Sequence, residues 1–274
     1  MKNTIKIIFK YTIHPILLLS YMCLMHLAYG QLPDIILLLS LLFINLVVLW
    51  TLEKIMPYRN DWKMNYKELK ENSFYFLSGA LADNIGKFIA IVLAMRLTSG
   101  SVDLEIYLST PLAVITLEFF AYWIHRLTHS GGFLWKVHVI HHTPSKIFTW
   151  NNNKMHPFNI ILLKTARLLP LIAIGFSAET ILLASVFGLI QNYISHANVD
   201  IRSGFLSYVI GTPELHRLHH SQDMSEAKNY SAVIPYWDLL FGTYIRNTAV
   251  ESIGVVAREK YPNSILEEML YPFK

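Results

Sequence analysis

The sequence predicts an all-α integral membrane protein with about four transmembrane helices, a shorter helical hairpin and a cytoplasmic cap rich in histidine. Three observations predict it. Hydrophobic residues make up 53% of the 274 and charged residues only 15%, where a soluble domain carries about 25% charged. Several apolar runs come close to or exceed the roughly 20 residues that a bilayer-crossing helix needs. Ten of the twelve histidines lie between His125 and His220, eight of them in three tight clusters. The formal charge of +4 and pI near 9.0 do not point to nucleic acid, because the cations flank the apolar runs as topology signals and form no basic stripe.

In chain order, Lys2, Lys6 and Lys10 precede a first apolar run, Tyr11 to Tyr29. It is longer than the 7 to 15 residue core of a signal peptide, and no small-residue cleavage site follows it, so it reads as a retained helix. His14 and Cys23 lie within it without a partner motif and read as structural. A turn from Gly30 to Asp34 carries no Lys or Arg, and the run from Ile35 to Leu52 returns across the membrane. Glu53 to Asn72 is the most polar stretch, with five cations interleaved with Trp62, Tyr66 and Leu69; it reads as an interfacial segment with aromatic anchors. The third run, Phe74 to Leu97, contains Asp83, Asn84 and Lys87. Ionisable groups at membrane depth are functional candidates, yet Asp83 and Lys87 are spaced to pair with each other on one helix face, which favours a packing role.

A cation-free loop, Thr98 to Ile106, leads to the fourth run, Tyr107 to Ile124, which delivers the chain into His125. Cations concentrate at the N-terminus and in the 53–72 stretch, so these and His125 are expected on the cytoplasmic side. The polar stretch Thr143 to Pro157 is followed by two shorter apolar runs, Phe158 to Phe176 and Ala178 to Ser195, which form the expected hairpin and return His196 to the clusters. Residues 197 to 274 hold no spanning run and are assigned to the cap. The expected organisation is therefore 1–106 for the first membrane helices and interfacial segment, 107–244 for the catalytic region, and 245–274 for a cytoplasmic tail.

The clusters carry the chemistry. His125 and His129 are four residues apart and share a helical face. His138-Val139-Ile140-His141-His142 and His216-Arg217-Leu218-His219-His220 both read H-x-x-H-H, a spacing expected to present three nitrogens to one point from a single turn. One histidine near apolar residues is usually structural, but three clusters joined by His156 and His196 would repel one another if charged. A bound cation removes that difficulty. Eight to ten ligands exceed what one metal takes, so two metals are implied. Imidazole suits zinc, copper, iron and nickel alike, and the single cysteine rules out thiolate and iron–sulfur sites.

From about Glu118 to Tyr244 the chain resembles the fatty acid hydroxylase and sterol desaturase superfamily of membrane di-iron oxygenases. The resemblance rests on Tyr122-Trp123-Ile124-His125-Arg126-Leu127-Thr128-His129, Leu134-Trp135-Lys136-Val137-His138-Val139-Ile140-His141-His142 and His196-Ala197-Asn198-Val199. It continues through Thr212-Pro213-Glu214-Leu215-His216-Arg217-Leu218-His219-His220 and Tyr236-Trp237-Asp238-Leu239-Leu240-Phe241-Gly242-Thr243-Tyr244. The eight-residue gap between His129 and His138 is closer to this superfamily than to the acyl desaturases. The resemblance implies two irons, held by His125, His129, His138, His141, His142, His216, His219 and His220, with His156 and His196 as further ligands. Glu118 stands where the family commonly has Asp; it is read either as a hydrogen-bond partner of an imidazole or as plain packing.

The implied reaction is hydroxylation or desaturation of an unactivated C–H bond of a lipid such as a sterol or fatty acyl chain, with O2 as co-substrate. The chain has no Cys-x-x-Cys pair and no G-x-G-x-x-G turn, so a ferredoxin, a b-type cytochrome or a reductase is the expected electron donor. Two rivals from other classes are a metal transporter, whose site would lie near the bilayer midplane on broken helices, and a haem protein, which leaves at least six histidines unexplained.

Overall fold

The computed structural model describes residues 2–97, 100–246 and 250–274, with side chains from residue 7 onward; Lys2 and Lys6 as side chains, Thr98 of the expected loop, and residues 247–249 of the expected tail lie outside the described residues. The helices are α1 (Lys2–Ala28), α2 (Asp34–Ile55), α3 (Tyr66–Ala94), α4 (Ile106–Thr128), α5 (Gly132–His142), α6 (Pro157–Ile174), α7 (Ala178–Ser195), α8 (Pro213–His219), α9 (Tyr236–Leu240) and α10 (Ile265–Leu270). Among the described residues extended pairing is limited to two isolated bridges, Pro57 with Val199 and Ser221 with Ile253. Five of these helices are long and apolar enough to cross a membrane: residues 7–28 of α1, then α2, α3, α4 and α6. The expectation of four spans and a shorter hairpin is met, with α6, the first arm of the hairpin, itself long enough to span. The second arm, α7, ends in polar Gln191, Asn192 and Ser195, and buries the Gln191 and Ser195 side chains inward.

Helix boundaries follow local chemistry. A reciprocal capping box starts α3: Glu68 N donates to Asn65 Oδ1 at 2.9 Å and Asn65 N donates to Glu68 Oε2 at 2.8 Å. Pro157 and Pro213 occupy the first turns of α6 and α8, where a missing N–H costs nothing. Gly175 stops α6 in the left-handed region at φ 93°. α3 and α6 pack closely because Gly86 has no Cβ; one built there would lie 2.8 Å from Lys164 Cβ.

The Asp83–Lys87 pair is present at 2.7 Å, and Lys164 of α6 adds a second cation at 2.6 Å. One carboxylate thus serves two cations across the α3–α6 contact. The 53–72 stretch departs from its reading as a separate interfacial segment. Its ends are helical, belonging to α2 and α3, and Trp62 is buried against Ile147 and Leu218 in the cap. Trp62 therefore supports the cap core and is no headgroup anchor. The 197–274 region also departs from a pure cap: Trp237 Nε1 donates to Ile115 O at 3.2 Å. Ile115 precedes His125 by ten residues, about 15 Å along the helix, so α9 lies beside the spanning part of α4.

The C-terminal ends of α2, α4 and α7 and the N-terminal end of α6 meet at one end of the bundle. Glu53, in the last turn of α2, joins them: its Oε1 accepts from Thr149 N, Thr149 Oγ1 and Asn198 N at 2.6 to 2.9 Å.

The expected sidedness is tested by labelling exposed positions in a Cys23→Ser background. A cysteine at exposed Ser101, in the cation-free loop, is expected to react with an impermeant maleimide from outside; one at Met224, 72% exposed in the cap, is expected to require a permeant reagent. Labelling of both from the same side would overturn the arrangement.

Candidate metal centre

The last turn of α4 supplies His125 and, at its C-cap, His129. A tight turn through Gly131 (φ 96°) and Gly132 (φ 61°) starts α5 at once, so His138, His141 and His142 face back toward them. His196 caps the C-terminus of α7, and α8, started by Thr212 and Pro213, carries His216, His219 and His220. Nine of these imidazoles gather in two nests. His125, His129, His138, His142 and His219 form nest A; His141, His196, His216 and His220 form nest B. Within each nest the ligating atoms lie within 4.8 Å of one another. The nests touch through the stacked rings of His142 and His220, whose centroids are 4.3 Å apart.

The expectation that each H-x-x-H-H cluster presents three nitrogens to one point is corrected by this division. His138 and His142 enter nest A while His141 enters nest B; His216 and His220 enter nest B while His219 enters nest A. Helical geometry gives the reason. At about 100° per residue, positions i and i+4 diverge by about 40°, whereas i+3 and i+4 diverge by about 100° and flank the first on opposite sides. Each cluster therefore feeds two neighbouring points and binds the nests together.

His156 joins neither nest. Its Nδ1 accepts from Phe158 N at 3.2 Å and its Nε2–H donates to Met269 O at 3.2 Å, so both nitrogens are used in capping α6 and holding α10. Glu118 bonds no imidazole. It is fully buried, receives Arg167 Nη2 on Oε1 at 2.8 Å and Val233 N on Oε2 at 3.2 Å, and so ties α4, α6 and the 231–235 loop together below nest A.

Backbone carbonyls aim the rings. Nδ1 of His125, His219, His141 and His196 lies 2.6 to 3.3 Å from the carbonyls of Tyr230, Lys228, Lys154 and Phe148 respectively. A carbonyl only accepts, so each Nδ1 carries the proton and each Nε2 keeps its lone pair. Two of these peptides are held in turn by a carboxylate. The Tyr230–Ser231 peptide accepts from His125 and donates its N–H to Asp238 Oδ2 at 2.8 Å; the Phe148–Thr149 peptide accepts from His196 and donates to Glu53 Oε1 at 2.6 Å. One carboxylate–peptide–imidazole relay thus stands behind each nest. Asn229, between the Lys228 and Tyr230 carbonyls, adopts φ 56° and pins the loop by accepting from Ile245 N and donating to the carbonyls of Leu215 and Ile245.

Burial keeps the rings neutral. Desolvation lowers the pKa of His129, His138, His142, His196, His216, His219 and His220 well below the usual imidazole value, with neighbouring histidines adding to the effect. His141 is lowered to about 4. Arg217 is buried beside them with its guanidinium 3.9 Å from the Tyr58 ring centroid, and desolvation lowers its pKa only to about 10, so it stays charged.

The donor set fits metal ions. His129 Nε2, His196 Nε2 and His219 Nε2 are buried without a hydrogen-bond partner. His138 Nε2 lies 3.1 Å from His125 Nε2 and 3.0 Å from His142 Nε2. One N–H cannot satisfy that convergence of lone pairs, and a cation between them does.

Comparison with known proteins agrees with this geometry. Residues 110–243 match the family profile described as fatty acid hydroxylase. Residues 110–243, just under half of the chain, form a fatty acid hydroxylase domain of the kind found in the fatty acid hydroxylase and sterol desaturase superfamily. It is 26% identical over 254 residues to the ornithine lipid hydroxylase OlsE of Rhizobium tropici, covering 86% of this chain and 77% of that one. It is 27% identical over 135 residues to human alkylglycerol monooxygenase (48% of this chain, 29% of that one) and 29% identical over 129 residues to methylsterol monooxygenase 2-2 of Arabidopsis thaliana (46% and 48%). It therefore spans about three quarters of the first relative and half or less of the other two. No solved structure matches it.

Sequence reasoning missed Glu53 and Asp238 as parts of the site. Each had a faint signal: Glu53 is the acid that ends an apolar run, and Asp238 is the one charge in the apolar closing motif. Asp238→Asn replaces an acceptor facing two N–H groups and a hydroxyl with a group that is half donor. It is expected to weaken metal retention in nest A about 10- to 100-fold and to lower folding stability by about 1–3 kcal/mol. Iron retained after a chelator challenge, read beside the melting temperature, tests it; unchanged retention would remove Asp238 from the site.

Proposed function

We propose that the two nests hold two irons, and that this lipid oxygenase uses them with O2 and two external electrons to hydroxylate an unactivated C–H bond of a membrane lipid. The observation that carries this reading is the pair of adjacent, buried, neutral imidazole nests at one end of a membrane bundle. When bound, a pair of reduced irons supplies the dioxygen activation that such a bond requires; zinc, without redox chemistry, does not. His125, His129, His138, His142 and His219 would hold one ion, and His141, His196, His216 and His220 the other. The carbonyls of Tyr230, Lys228, Lys154 and Phe148 keep these rings neutral and oriented.

The two nests differ in surroundings. All four histidines of nest B are buried, whereas His125 and His129 of nest A are only half-buried. A run of aromatic rings leads outward from nest A: Tyr230 lies 5.2 Å from His129, Tyr122 lies 6.1 Å from Tyr230, and Phe241 lies 5.4 Å from Tyr122. Phe241 is 36% exposed beside α9, next to exposed Leu239 and Leu240. We therefore place lipid entry along this wall, with oxidation at nest A. The names of the relatives above, for an ornithine lipid, an alkylglycerol and a methylsterol, support a membrane lipid as the substrate class. The electron donor is proposed as a separate redox protein that docks at the cap, and the cap is proposed to face the cytoplasm.

Protein purified anaerobically with iron is expected to hold about two irons and no haem; a stoichiometry near one, or a Soret band, overturns the assignment. His219→Ala is expected to abolish product formation per folded protein, while His26→Ala, exposed on α1 away from the nests, leaves it near wild type. Retained activity and iron in His219→Ala would place the centre elsewhere.

A further inference from the structure

The segment after residue 243 lies outside the matched family region, yet its last helix reaches the site through a chain of short contacts. Glu268 of α10 is 2% exposed. Its two carboxylate oxygens lie 2.8 and 3.0 Å from Lys154 Nζ, and the Tyr75 hydroxyl of α3 donates to it. Lys154 also stands over the Tyr75 ring, 5.2 Å from its centroid. The backbone carbonyl of this same Lys154 accepts from Nδ1 of His141 at 3.2 Å. The next residue of α10, Met269, accepts on its carbonyl from His156 Nε2. Phe273 closes the contact between Phe133 and Phe158, with centroids 6.2 and 5.8 Å away.

Two further facts give this arrangement direction. Residues 154–156 have no regular structure between the 3-10 turn at Thr149–Asn153 and the start of α6, so the Lys154 carbonyl depends on what grips its own side chain. Lys154 is 8% exposed, and a buried ammonium is costly without a paired anion. Removing Glu268 would therefore expel or reorient Lys154 and move the carbonyl that fixes His141.

We propose that α10 is a latch that sets the metal affinity of nest B: Glu268 and Lys154 are positioning residues that aim His141 through the Lys154 carbonyl. This rests on the two-metal reading above. It explains why His156, though spaced like a ligand, is consumed in the contact with α10. It also predicts a selective effect, because the carbonyls that aim His125 and His219 of nest A come from the separate 228–230 loop.

The test is cobalt binding to the full-length chain in nanodiscs, followed by visible absorption, with each nest isolated by substitutions that cut the other to two imidazoles. H125A/H129A/H219A leaves nest B and H196A/H216A leaves nest A. Adding E268Q or K154M is expected to weaken cobalt binding about 10- to 100-fold in the first background, the range seen when a partner that orients a ligand is lost, and to leave the second unchanged. K154R, which keeps the cation, is expected to restore binding. Equal loss in both backgrounds would mean general destabilisation, and no loss in either would mean that the carbonyl is held without the latch; both overturn the proposal. If neither parent variant binds cobalt, the two-metal reading itself fails, and the latch with it.

Discussion

A buried imidazole can offer a lone pair to a neighbour only if it is neutral and its other nitrogen has somewhere to put its proton. Nine rings in contact face that demand at once, and the rest of the cap is arranged around it. Four of them solve it by donating Nδ1–H to a backbone carbonyl from outside the helices: Tyr230, Lys228, Lys154 and Phe148. These carbonyls lie in loops whose conformation regular secondary structure does not impose. Something else must hold each loop, and the holding groups are buried and polar: Asp238 and Asn229 for residues 228–231, Glu53 for Thr149, Glu268 for Lys154. Each therefore has a structural reason that leads back to an imidazole.

The charges follow the same logic. Two divalent ions, as proposed, would bring four positive charges into a region where burial makes charge expensive. Glu118 and Glu268 are already spoken for by Arg167 and Lys154. Asp238 and Glu53 accept only from neutral donors. Burial raises the Asp238 pKa; a cation in nest A would oppose that shift through the intervening peptide. One uncompensated carboxylate per nest, each one peptide removed from a ligand ring, is the arrangement that binding two cations calls for.

The membrane bundle and the gathering of nine of the ten candidate histidines were legible in the sequence, because apolar run length and helical spacing are local properties. What was not legible depends on direction or on distant partners. The division of each H-x-x-H-H cluster between two nests follows from the divergence of i+3 and i+4, which spacing alone does not reveal until both nests are in place. His156 matches its neighbours in type, but its nitrogens are claimed by Phe158 N and by a carbonyl 113 residues away. Trp62 carried the composition of a headgroup anchor and was drawn into the cap core by Ile147 and Leu218. For Glu118 its own helix leaves two roles open, an imidazole partner or plain packing; Arg167, on another helix, decides between them.

The division of clusters also bears on how the two ions would act together. Had each cluster served one ion, the nests could shift relative to each other as α5 and α8 moved. Because α5 and α8 each place histidines in both nests, a displacement of either helix moves rings of both, and the His142–His220 stack joins them. Crossing the ligands between two short helices supplies that coupling within a loop-rich cap, and leaves the half-buried side of nest A free to meet substrate.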